Sequence, residues 1–294
     1  MKRILMTGGT GFFGKSILDY NRRHPLGELT ILSRSAARFA ANNPELFAGV
    51  RFVEGDVRTF SVGSRRYDWV IHAATPARTD VPDAEMRSII LDGTANAIRQ
   101  ARTCGAEKFM MVSSGGVYGR GFGRPFSEDD EPNPYTAYGC AKLEAERMAV
   151  ESELFALLPR CFAFVGKHLD REAHFAIGNF IRDALRGEDL VIKGDGTSVR
   201  SYLYADDLVE WLWAILERGV SGRVYNVGSD ESISIRELAN LVGKSLGAKG
   251  TVHVLGQSVP GATNVYVPNA SRAKAELGLS VKVGLAEAIR LSVC

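Results

Sequence analysis

Residues 1–14, MKRILMTGGTGFFG, place a glycine-rich turn directly after a short apolar segment. The pattern predicts a strand at Arg3–Thr7, a helix at Phe12–Arg23 and a tight turn between them. Glycine permits positive φ and lets backbone N–H groups approach a pyrophosphate, and a helix N-terminus attracts the anion. Because strand, turn and helix follow in this order, the segment predicts a dinucleotide site rather than an ordinary glycine-rich turn.

Apolar segments of strand length alternate with helix-length segments through the first 160 residues. The predicted strands cover residues 28–33, 50–56, 69–74 and 108–114, and the two long predicted helices cover residues 84–104 and 137–153. Nearly continuous apolar strands separated by helices are typical of a parallel sheet with helices on both faces. The predicted fold class is therefore α/β, a Rossmann-type doubly wound parallel sheet.

The sequence after residue 160 has shorter strand-like segments and more glycine turns. Helices are predicted there at residues 174–186, 206–218, 235–246 and 285–291. We place the dinucleotide-binding domain at residues 1–165 and a smaller, interleaved substrate lobe mainly at 166–294, with some elements returning to the first domain. Residues 119–134 are predicted to form a loop that either closes over a ligand or simply connects two elements.

Composition and charge argue against several classes of function. The 294 residues carry a formal net charge of +2 and no basic run, so nothing indicates nucleic-acid binding. No apolar run is long enough to span a membrane, and the predicted strand and turn occupy the place of a signal peptide. Four scattered cysteines without a CxxC pair indicate reduced thiols, with neither a disulfide framework nor a metal site. We therefore expect a cytoplasmic protein without a bound metal.

The pattern Tyr138-Gly-Cys-Ala-Lys142 carries the candidate chemistry. Residues four apart share a helix face, and a lysine cation lowers the pKa of a nearby phenol because it favours the phenolate. Such a tyrosine can take a proton from a hydroxyl or give one to a carbonyl oxygen, and Ser114 at a predicted strand end can orient that oxygen. His72 also ends a predicted strand, and we interpret it as a packed, hydrogen-bonded core residue rather than a base.

These segments together resemble the extended short-chain dehydrogenases/reductases, in the NAD-dependent epimerase/dehydratase group that acts on nucleotide sugars. TGGTGFFG is similar to the family's glycine turn, GDVR to the segment whose aspartate meets the adenine, here Asp56, and VIHAAT to the strand end beneath the cofactor. SSGGVYG and YGCAK match the catalytic segments, which implies catalytic roles for Ser114, Tyr138 and Lys142. GDGTSVRSYLYADDL resembles the segment whose arginine, here Arg200, grips the diphosphate of the sugar nucleotide.

The resemblance implies a full set of site residues and an assembly. The residues expected to bind the cofactor are Gly8, Thr10, Gly11, Phe12, Phe13, Gly14, Arg34, Asp56, Val57, Ala73, Ala74, Thr75, Tyr138 and Lys142. The residues expected to bind the substrate are Ser114, Tyr138, Asn179 and Arg200. A homodimer is expected, in which the helices predicted at residues 84–104 and 137–153 pair with their copies.

Two departures from the family pattern bear on the reaction. Gly115 and Gly116 follow Ser114 where 4,6-dehydratases of the family carry an Asp–Glu pair, so the acid and base of water elimination are missing. Ser33 and Arg34 stand after the second strand where NAD sites usually present an acid, and Arg34 can instead hold a 2′-phosphate. This favours NADP(H) as cofactor, with NAD(H) as the alternative.

The expected function is a nucleotide-sugar oxidoreductase that is not a 4,6-dehydratase. A 4-ketoreductase of a nucleotide-diphosphate deoxyhexose is favoured, because a net reductase exchanges NADPH in each turnover. The alternative is a nucleotide-sugar 4-epimerase that keeps a bound NAD. A reductase of a small ketone and a non-catalytic dinucleotide-binding protein are the remaining interpretations.

Overall fold

The computed structural model describes residues 1–47, 49–76, 80–121, 123–257 and 264–294. The strands are β1 (Arg3–Thr7), β2 (Glu28–Ser33), β3 (Arg51–Glu54), β4 (Trp69–His72), β5 (Lys108–Met111), β6 (Ser113–Ser114), β7 (Ala156–Cys161), β8 (Phe164–Val165), β9 (Leu190–Ile192), β10 (Val199–Arg200), β11 (Leu203–Tyr204), β12 (Val224–Val227), β13 (Ile233–Ser234), β14 (Val252–Val254) and β15 (Val265–Tyr266). The α-helices are α1 (Phe12–Arg23), α2 (Ala36–Asn42), α3 (Pro44–Phe47), α4 (Asp83–Cys104), α5 (Ala137–Glu151), α6 (Ala176–Arg186), α7 (Ala205–Arg218), α8 (Ile235–Leu246), α9 (Ser271–Leu277) and α10 (Leu285–Leu291). A 3₁₀ turn at Gly115–Tyr118 follows β6.

The chain forms two compact units. The first contains Met1–Gly119, Pro132–Arg160 and Val209–Tyr225, and the second contains Arg120–Glu131, Cys161–Leu208 and Asn226–Cys294. Each unit is assembled from chain segments that are separated in sequence.

A large parallel sheet with helices organises the first unit and confirms the predicted α/β fold class. Its strands follow the order β12-β7-β5-β4-β1-β2-β3, with β6 paired to β7. The chain starts at β1, moves outward to β2 and β3, and then returns to the other side of β1 with β4 and β5. This reversal next to β1 is the place where doubly wound sheets bind ligands, beyond the carboxyl ends of the strands.

The central strands are buried on both faces because helices cover the sheet. Ile4, Leu5 and Met6 of β1 and Val70 and Ile71 of β4 have no exposed surface. Burial of such apolar area contributes about 25 cal/mol per Å², which explains the nearly continuous apolar sequence of these strands. The β1–β4 register pairs Thr7 with His72 at the carboxyl ends of the two strands.

Local chemistry explains where elements end earlier than the sequence predicts. β3 stops at Glu54, because Gly55 has a φ of +153°, and the predicted strand at 50–56 is therefore shortened. α5 stops at Glu151 and not at residue 153, because Glu153 has a φ of +59°, outside the helical region. The predicted strand at 108–114 is divided into β5 and β6 around Val112.

The second unit has short sheets and its own apolar core. β8 pairs with β11, β9 with β14, and β10 lies between β13 and β15. Its core contains Phe180 and Ile181 of α6, Leu238 and Val242 of α8, and Ile289 of α10. The described residues of the predicted loop at 119–134, which exclude position 122, form no helix and no strand apart from an isolated bridge at Phe126.

Candidate dinucleotide-binding and proton-transfer site

The turn between β1 and α1 requires glycine at specific positions. Gly8 has a φ of +75°, and a Cβ there would lie 2.6 Å from the carbonyl carbon of Ala73. A Cβ at Gly14 would lie 2.3 Å from the Cα of Gly9, which is the close helix–turn packing expected of the last glycine. Gly11 precedes α1 and provides no side-chain cap. The turn thus leaves the N-terminus of α1 to an anion, and its geometry fits a pyrophosphate.

A hydrogen-bonded histidine ties the ends of β1 and β4 to α4. Thr94 Oγ1 donates to the carbonyl oxygen of Ile90 at 2.6 Å and therefore accepts from His72 Nε2 at 3.1 Å. On the other side of the ring, Nδ1 accepts from Thr7 Oγ1 at 2.8 Å, and Thr7 Oγ1 accepts the N–H of Ala74 at 3.2 Å. These partners assign the neutral ring with its proton on Nε2.

His72 carries no charge at neutral pH. It is 2% exposed, and burial, followed by the positive charge of Lys142, lowers its pKa from 6.5 to about 3. The imidazole is hydrogen-bonded to a hydroxyl on each side, and its pKa is far below neutral. We therefore interpret His72 as a structural residue and not as a general base. The interpretation of His72 as a packed, hydrogen-bonded core residue is confirmed.

Ser114 and Tyr138 lie on either side of Gly116. Ser114 is buried at the end of β6, and its Oγ accepts the N–H of Gly116 at 3.1 Å. A Cβ at Gly116 would lie 3.4 Å from Ser114 Oγ and 3.5 Å from Tyr138 Cε1. The structure therefore brings together the hydroxyl and the phenol that are separated by 24 positions in the sequence.

Helix α5 presents Tyr138 and Lys142 one turn apart. Thr136 caps the helix by accepting the N–H of Gly139 at 3.0 Å, so Tyr138 lies in the first turn. Lys142 is 4% exposed, and its Nζ donates to the carbonyl oxygen of Val112 at 2.9 Å. The same Nζ lies 6.0 Å from the centre of the Tyr138 ring. The predicted arrangement of phenol and ammonium on one helix face is present.

The segments after β2 and β3 carry the residues predicted at the adenosine. Arg34 is exposed directly after β2, where Ser33 Oγ accepts the N–H of Ser35 at 3.1 Å. Asp56 accepts from Arg58 Nε at 2.8 Å and Nη2 at 3.0 Å. These hydrogen bonds hold the pKa of the Asp56 carboxyl below its ordinary value, against partial burial. Asp56 is thus a carboxylate that Arg58 orients, and its predicted contact with the adenine stays a prediction.

Further residues that are predicted to bind the cofactor lie in the segments that follow β3 and β4. Val57 is buried, and its Cγ1 would lie 3.0 Å from a Cβ at Gly93 of α4. Ala73 and Ala74 follow β4 and are half-buried. Thr75 Oγ1 is buried and finds no hydrogen-bond partner among the described residues. A buried hydroxyl of this kind fits a site that a polar ligand completes.

Asn179 belongs to the second unit, on α6. Its Nδ2 donates to the carbonyl oxygens of Arg171 and Ala173, both at 2.8 Å. The side chain therefore secures the segment before α6 through its amide nitrogen, and its predicted contact with substrate stays a prediction.

Arg200 also belongs to the second unit, on β10. Its Nη1 donates to the carbonyl oxygens of Val199 at 2.8 Å and Asn264 at 2.9 Å, and its guanidinium lies 5.8 Å from the centre of the Tyr266 ring. Asp207, farther along the same sequence segment, accepts the N–H groups of residues 282 and 283 at 3.0 and 3.1 Å. The predicted grip on a diphosphate stays a prediction.

Three buried residues next to the site escape the motif analysis. Ser113, Glu146 and Arg160 form one hydrogen-bonded cluster beside Ser114. The available signal is the helix period, since Glu146 continues the line of Tyr138 and Lys142 at steps of four.

The described part of the chain contains neither a membrane-crossing helix nor a metal-like cluster. None of its helices combines the length and apolarity needed to cross a membrane. Within those same residues, no three His, Cys, Asp or Glu side chains gather as a metal site would require.

Comparison with known proteins decides the family. The model of the NAD dependent epimerase/dehydratase family matches residues 4–228. The chain belongs to this family. The family resemblance read from the motifs is confirmed by this match, which includes the glycine turn, Ser114 and the Tyr138–Lys142 pair.

Relatives within the family carry out different reactions. A UDP-N-acetyl-alpha-D-glucosaminuronate decarboxylase of Bacillus cytotoxicus is 31% identical over 258 residues, 81% of this chain and 78% of the relative. A dTDP-glucose 4,6-dehydratase of Streptomyces griseus is 28% identical over 99% of this chain and 92% of the relative. The structure of a UDP-glucuronic acid 4-epimerase from Bacillus cereus, in complex with UDP-glucuronic acid and NAD, is 25% identical with a TM-score of 0.83 and covers 99% of this chain and 97% of that chain.

Proposed function

We propose that the protein is an NAD(P)-dependent oxidoreductase of nucleotide sugars, and specifically a 4-ketoreductase of a nucleotide-diphosphate deoxyhexose. The observation that carries this proposal is the grouping of Ser114, Tyr138 and Lys142 beside Gly116 in the first unit. The curated relatives act on UDP- and dTDP-sugars, which supports a substrate of the same class.

The three side chains divide the proton chemistry between them. When bound, the nicotinamide supplies the hydride that reaches the carbonyl carbon of the substrate. Tyr138 gives its phenolic proton to the oxygen that becomes the alcohol, and Ser114 Oγ holds that oxygen by a hydrogen bond. Lys142, a buried cation 6.0 Å from the phenol ring, favours the phenolate that remains.

The glycines after Ser114 argue against a 4,6-dehydratase, although relatives include that class. Water elimination needs an acid at the leaving hydroxyl and a base at the acidic carbon, and neither Gly115 nor Gly116 has a side chain. A Cβ at Gly116 would meet its neighbours at ordinary van der Waals distances of 3.4 Å or more. The backbone does not require the glycine at position 116, and the missing carboxylate supports a reaction other than water elimination.

The exposed Arg34 supports NADP(H) as the cofactor of a net reductase. A guanidinium after β2 can bind the 2′-phosphate with paired charge-assisted hydrogen bonds, whereas an acid there would repel it. Asp56 lies near enough to Arg34 for that positive charge to lower its pKa slightly, after the larger effects of Arg58. Two arginines thus influence the one carboxylate that is predicted to meet the adenine.

A 4-epimerase is the second candidate, and a specific observation favours it. The Bacillus cereus 4-epimerase with NAD matches this chain almost from end to end. An epimerase oxidises and reduces its substrate in one turnover and so consumes no cofactor, which gives a direct means of telling the two activities apart.

One experiment separates these functions. The purified protein is titrated by calorimetry with UDP, dTDP, GDP and CDP, and the preferred nucleotide's 4-keto-6-deoxyhexose is then offered with NADPH. A 4-ketoreductase consumes one NADPH for each sugar reduced, whereas an epimerase interconverts the C4 alcohols with no net consumption. Failure of every nucleoside diphosphate to bind at roughly millimolar concentration would overturn the nucleotide-sugar assignment.

A further inference from the structure

A buried ion pair joins α5 to β7 in the first unit. Arg160 Nε and Nη2 donate to the two carboxylate oxygens of Glu146 at 2.9 and 2.7 Å. The two side chains are only 5% and 6% exposed. Although burial opposes the charge on Arg160, the hydrogen bonds and charge of Glu146 keep its pKa above the ordinary value. The guanidinium of Arg160 is therefore held as a cation away from water.

The same pair holds both ends of the turn that carries Ser114. Ser113 Oγ donates to Glu146 Oε1, and Ser113 is the residue immediately before Ser114. The Arg160 guanidinium lies 4.7 Å from the centre of the Tyr118 ring, and Tyr118 ends the 3₁₀ turn that Ser114 caps. One cluster thus contacts Ser113, just before the residue that caps the turn, and Tyr118, the last residue of the turn.

The cluster also fixes the helix that carries the phenol and the ammonium. Glu146 lies one turn after Lys142 and two turns after Tyr138, so the three side chains follow the same line along α5. Lys142 and Glu146 are both buried, which places this part of the helix in the interior. A shift of the Glu146 carboxylate would therefore move α5 and the Ser114 turn relative to each other.

Stability alone does not account for such a cluster. Taking two charges out of water costs several kcal/mol per ion, and apolar side chains of similar volume are often as stabilising in the same place. What apolar side chains lack is direction, because only the carboxylate and the guanidinium define the angle and distance at which two backbones are held. The geometry of the cluster points to a role in placing groups rather than in holding the fold together.

We propose that Glu146 and Arg160 are positioning residues that set the distance between Ser114 Oγ and the Tyr138–Lys142 pair. The proposal rests on the proposed function, since it assigns the positioned groups to proton transfer. Neither residue touches the substrate or cofactor in this scheme, so the effect of both is exerted through β6, the 3₁₀ turn and α5.

Two variants test the proposal without leaving a buried charge unpaired. The double variant E146L/R160M replaces the ion pair with apolar side chains, and S113A removes only the link between Glu146 and the Ser114 turn. E151Q is the matched control, because Glu151 is an exposed carboxylate at the end of the same helix. Each protein is assayed for kcat and KM, for melting temperature, and for the titration of the Tyr138 phenol by NMR of ¹³C-labelled tyrosine, with the signal assigned by Y138F.

The double variant is expected to lose roughly tenfold to a hundredfold in kcat, since misplacement of catalytic groups by about 1 Å has effects of this size. Its melting temperature is expected to stay within about 5 °C of wild type. The pKa of the Tyr138 phenol is expected to move toward the ordinary tyrosine value of about 10 in the double variant. E151Q is expected to leave both kcat and this pKa unchanged. S113A should lower kcat by a smaller factor, and it carries the test if the double variant does not fold.

The positioning role would be overturned if kcat and the pKa of the Tyr138 phenol were both unchanged in the folded double variant. If the double variant does not fold, the same result in S113A would overturn it. Failure of the proposed function is a separate result. If wild type turns over no nucleotide sugar, the phenol titration still reports on the placement of α5 and decides the role of Glu146 and Arg160 by itself.

Discussion

At the scale of single residues, the groups of the candidate site differ in the residues that they contact. Tyr138 and Ser114 lie beside Gly116, and the proposed mechanism places the substrate oxygen between them. Lys142 donates a hydrogen bond to the carbonyl oxygen of Val112, and its Nζ lies 6.0 Å from the centre of the Tyr138 ring. Arg34 is exposed and lies outside this group, at the end of β2. Substitutions at these residues are therefore expected to change different measured quantities.

Replacing Tyr138 by phenylalanine should abolish turnover and leave cofactor affinity nearly unchanged, because only the phenolic proton is lost. Groups that act as acid or base contribute about 10²–10⁴-fold to the rate, so more than about a tenth of wild-type kcat in Y138F would contradict the assignment.

K142M should lower turnover and cofactor affinity together, because the ammonium is expected to reach the nicotinamide ribose. Steady-state kinetics and a fluorescence titration with cofactor measure both effects.

Replacing Arg34 by aspartate should shift cofactor preference from NADP(H) toward NAD(H). The carboxylate would repel the 2′-phosphate and offer an acceptor to the ribose hydroxyl. Tryptophan fluorescence titrations of wild type and R34D with both cofactors measure the change, with R38D as the control at another exposed arginine. Equal preference in wild type and R34D would show that Arg34 takes no part, and would favour the epimerase.

Replacing Arg200 by alanine should weaken substrate binding and leave cofactor binding unaltered. A charged hydrogen bond contributes about 1.5–3 kcal/mol, which corresponds to a roughly tenfold to hundredfold rise in the dissociation constant of the nucleotide sugar. Calorimetry with the preferred nucleoside diphosphate measures this loss. An arginine that serves only its own strands would leave that constant unchanged while lowering the melting temperature.

At the scale of elements, the residues next to the glycine turn come from the ends of strands and not from their centres. β1 and β4 are paired in register at Thr7 and His72, and one neutral imidazole then connects both strands to α4. The glycine turn follows β1 directly, and Ala73 follows β4 at the point where a Cβ on Gly8 would collide. The glycine turn therefore packs against the end of β4, and a buried hydrogen-bond network holds the two strand ends together.

This network predicts a pH dependence of stability. The pKa of His72 is about 3 when folded and near 6.5 when unfolded. Below pH 6.5 the unfolded chain therefore binds more protons, so stability falls as pH falls from about 6.5 toward 3. The contribution of this residue should be about 2 kcal/mol smaller at pH 5 than at pH 8.

Urea unfolding at both pH values, for wild type and His72→Gln, measures the contribution of His72. The glutamine keeps an amide donor and acceptor but does not titrate, so its stability should fall less between pH 8 and pH 5. The depressed carboxyl pKa values, such as that of Asp56, are common to both proteins and cancel in the comparison. Parallel losses in the two proteins would contradict a neutral buried His72.

At the scale of the whole molecule, two compact units are each built from segments distant in sequence. The glycine turn and the residues proposed for proton transfer all lie in the first unit, whereas Asn179 and Arg200, which are predicted to bind the substrate, lie in the second. The residues proposed for the reaction and those predicted for substrate recognition therefore belong to different units.

The intact protein is expected to be a homodimer formed by α4 and α5 with their copies. α5 leaves an apolar side chain at its surface, since Val150 is 50% exposed, and two-fold dimers are the commonest assemblies. Sedimentation velocity across the micromolar range should show a dimer of the 32.0 kDa chain. Only monomer in that range would contradict the expectation, and V150E should shift the equilibrium toward monomer if α5 forms the interface.

The sequence by itself determined the elements whose chemistry is local. β1, α1 and β2 agree with the predicted bounds, because an apolar strand, a glycine turn and an amphipathic helix each follow from neighbouring residues. The α/β class and the family were predicted from the order of such segments. The helices α2, α3 and α9, of four to seven residues, escaped prediction.

Only the tertiary structure decided which distant residues meet. It brought Ser114 beside Tyr138 next to Gly116, and it joined Ser113, Glu146 and Arg160 in one buried cluster. No local pattern reports these contacts, because burial and pairing depend on how sheet and helices pack and not on neighbours in the chain. Desolvation likewise made His72 a neutral spacer, a property that its place in the sequence could suggest but that only its closed surroundings impose.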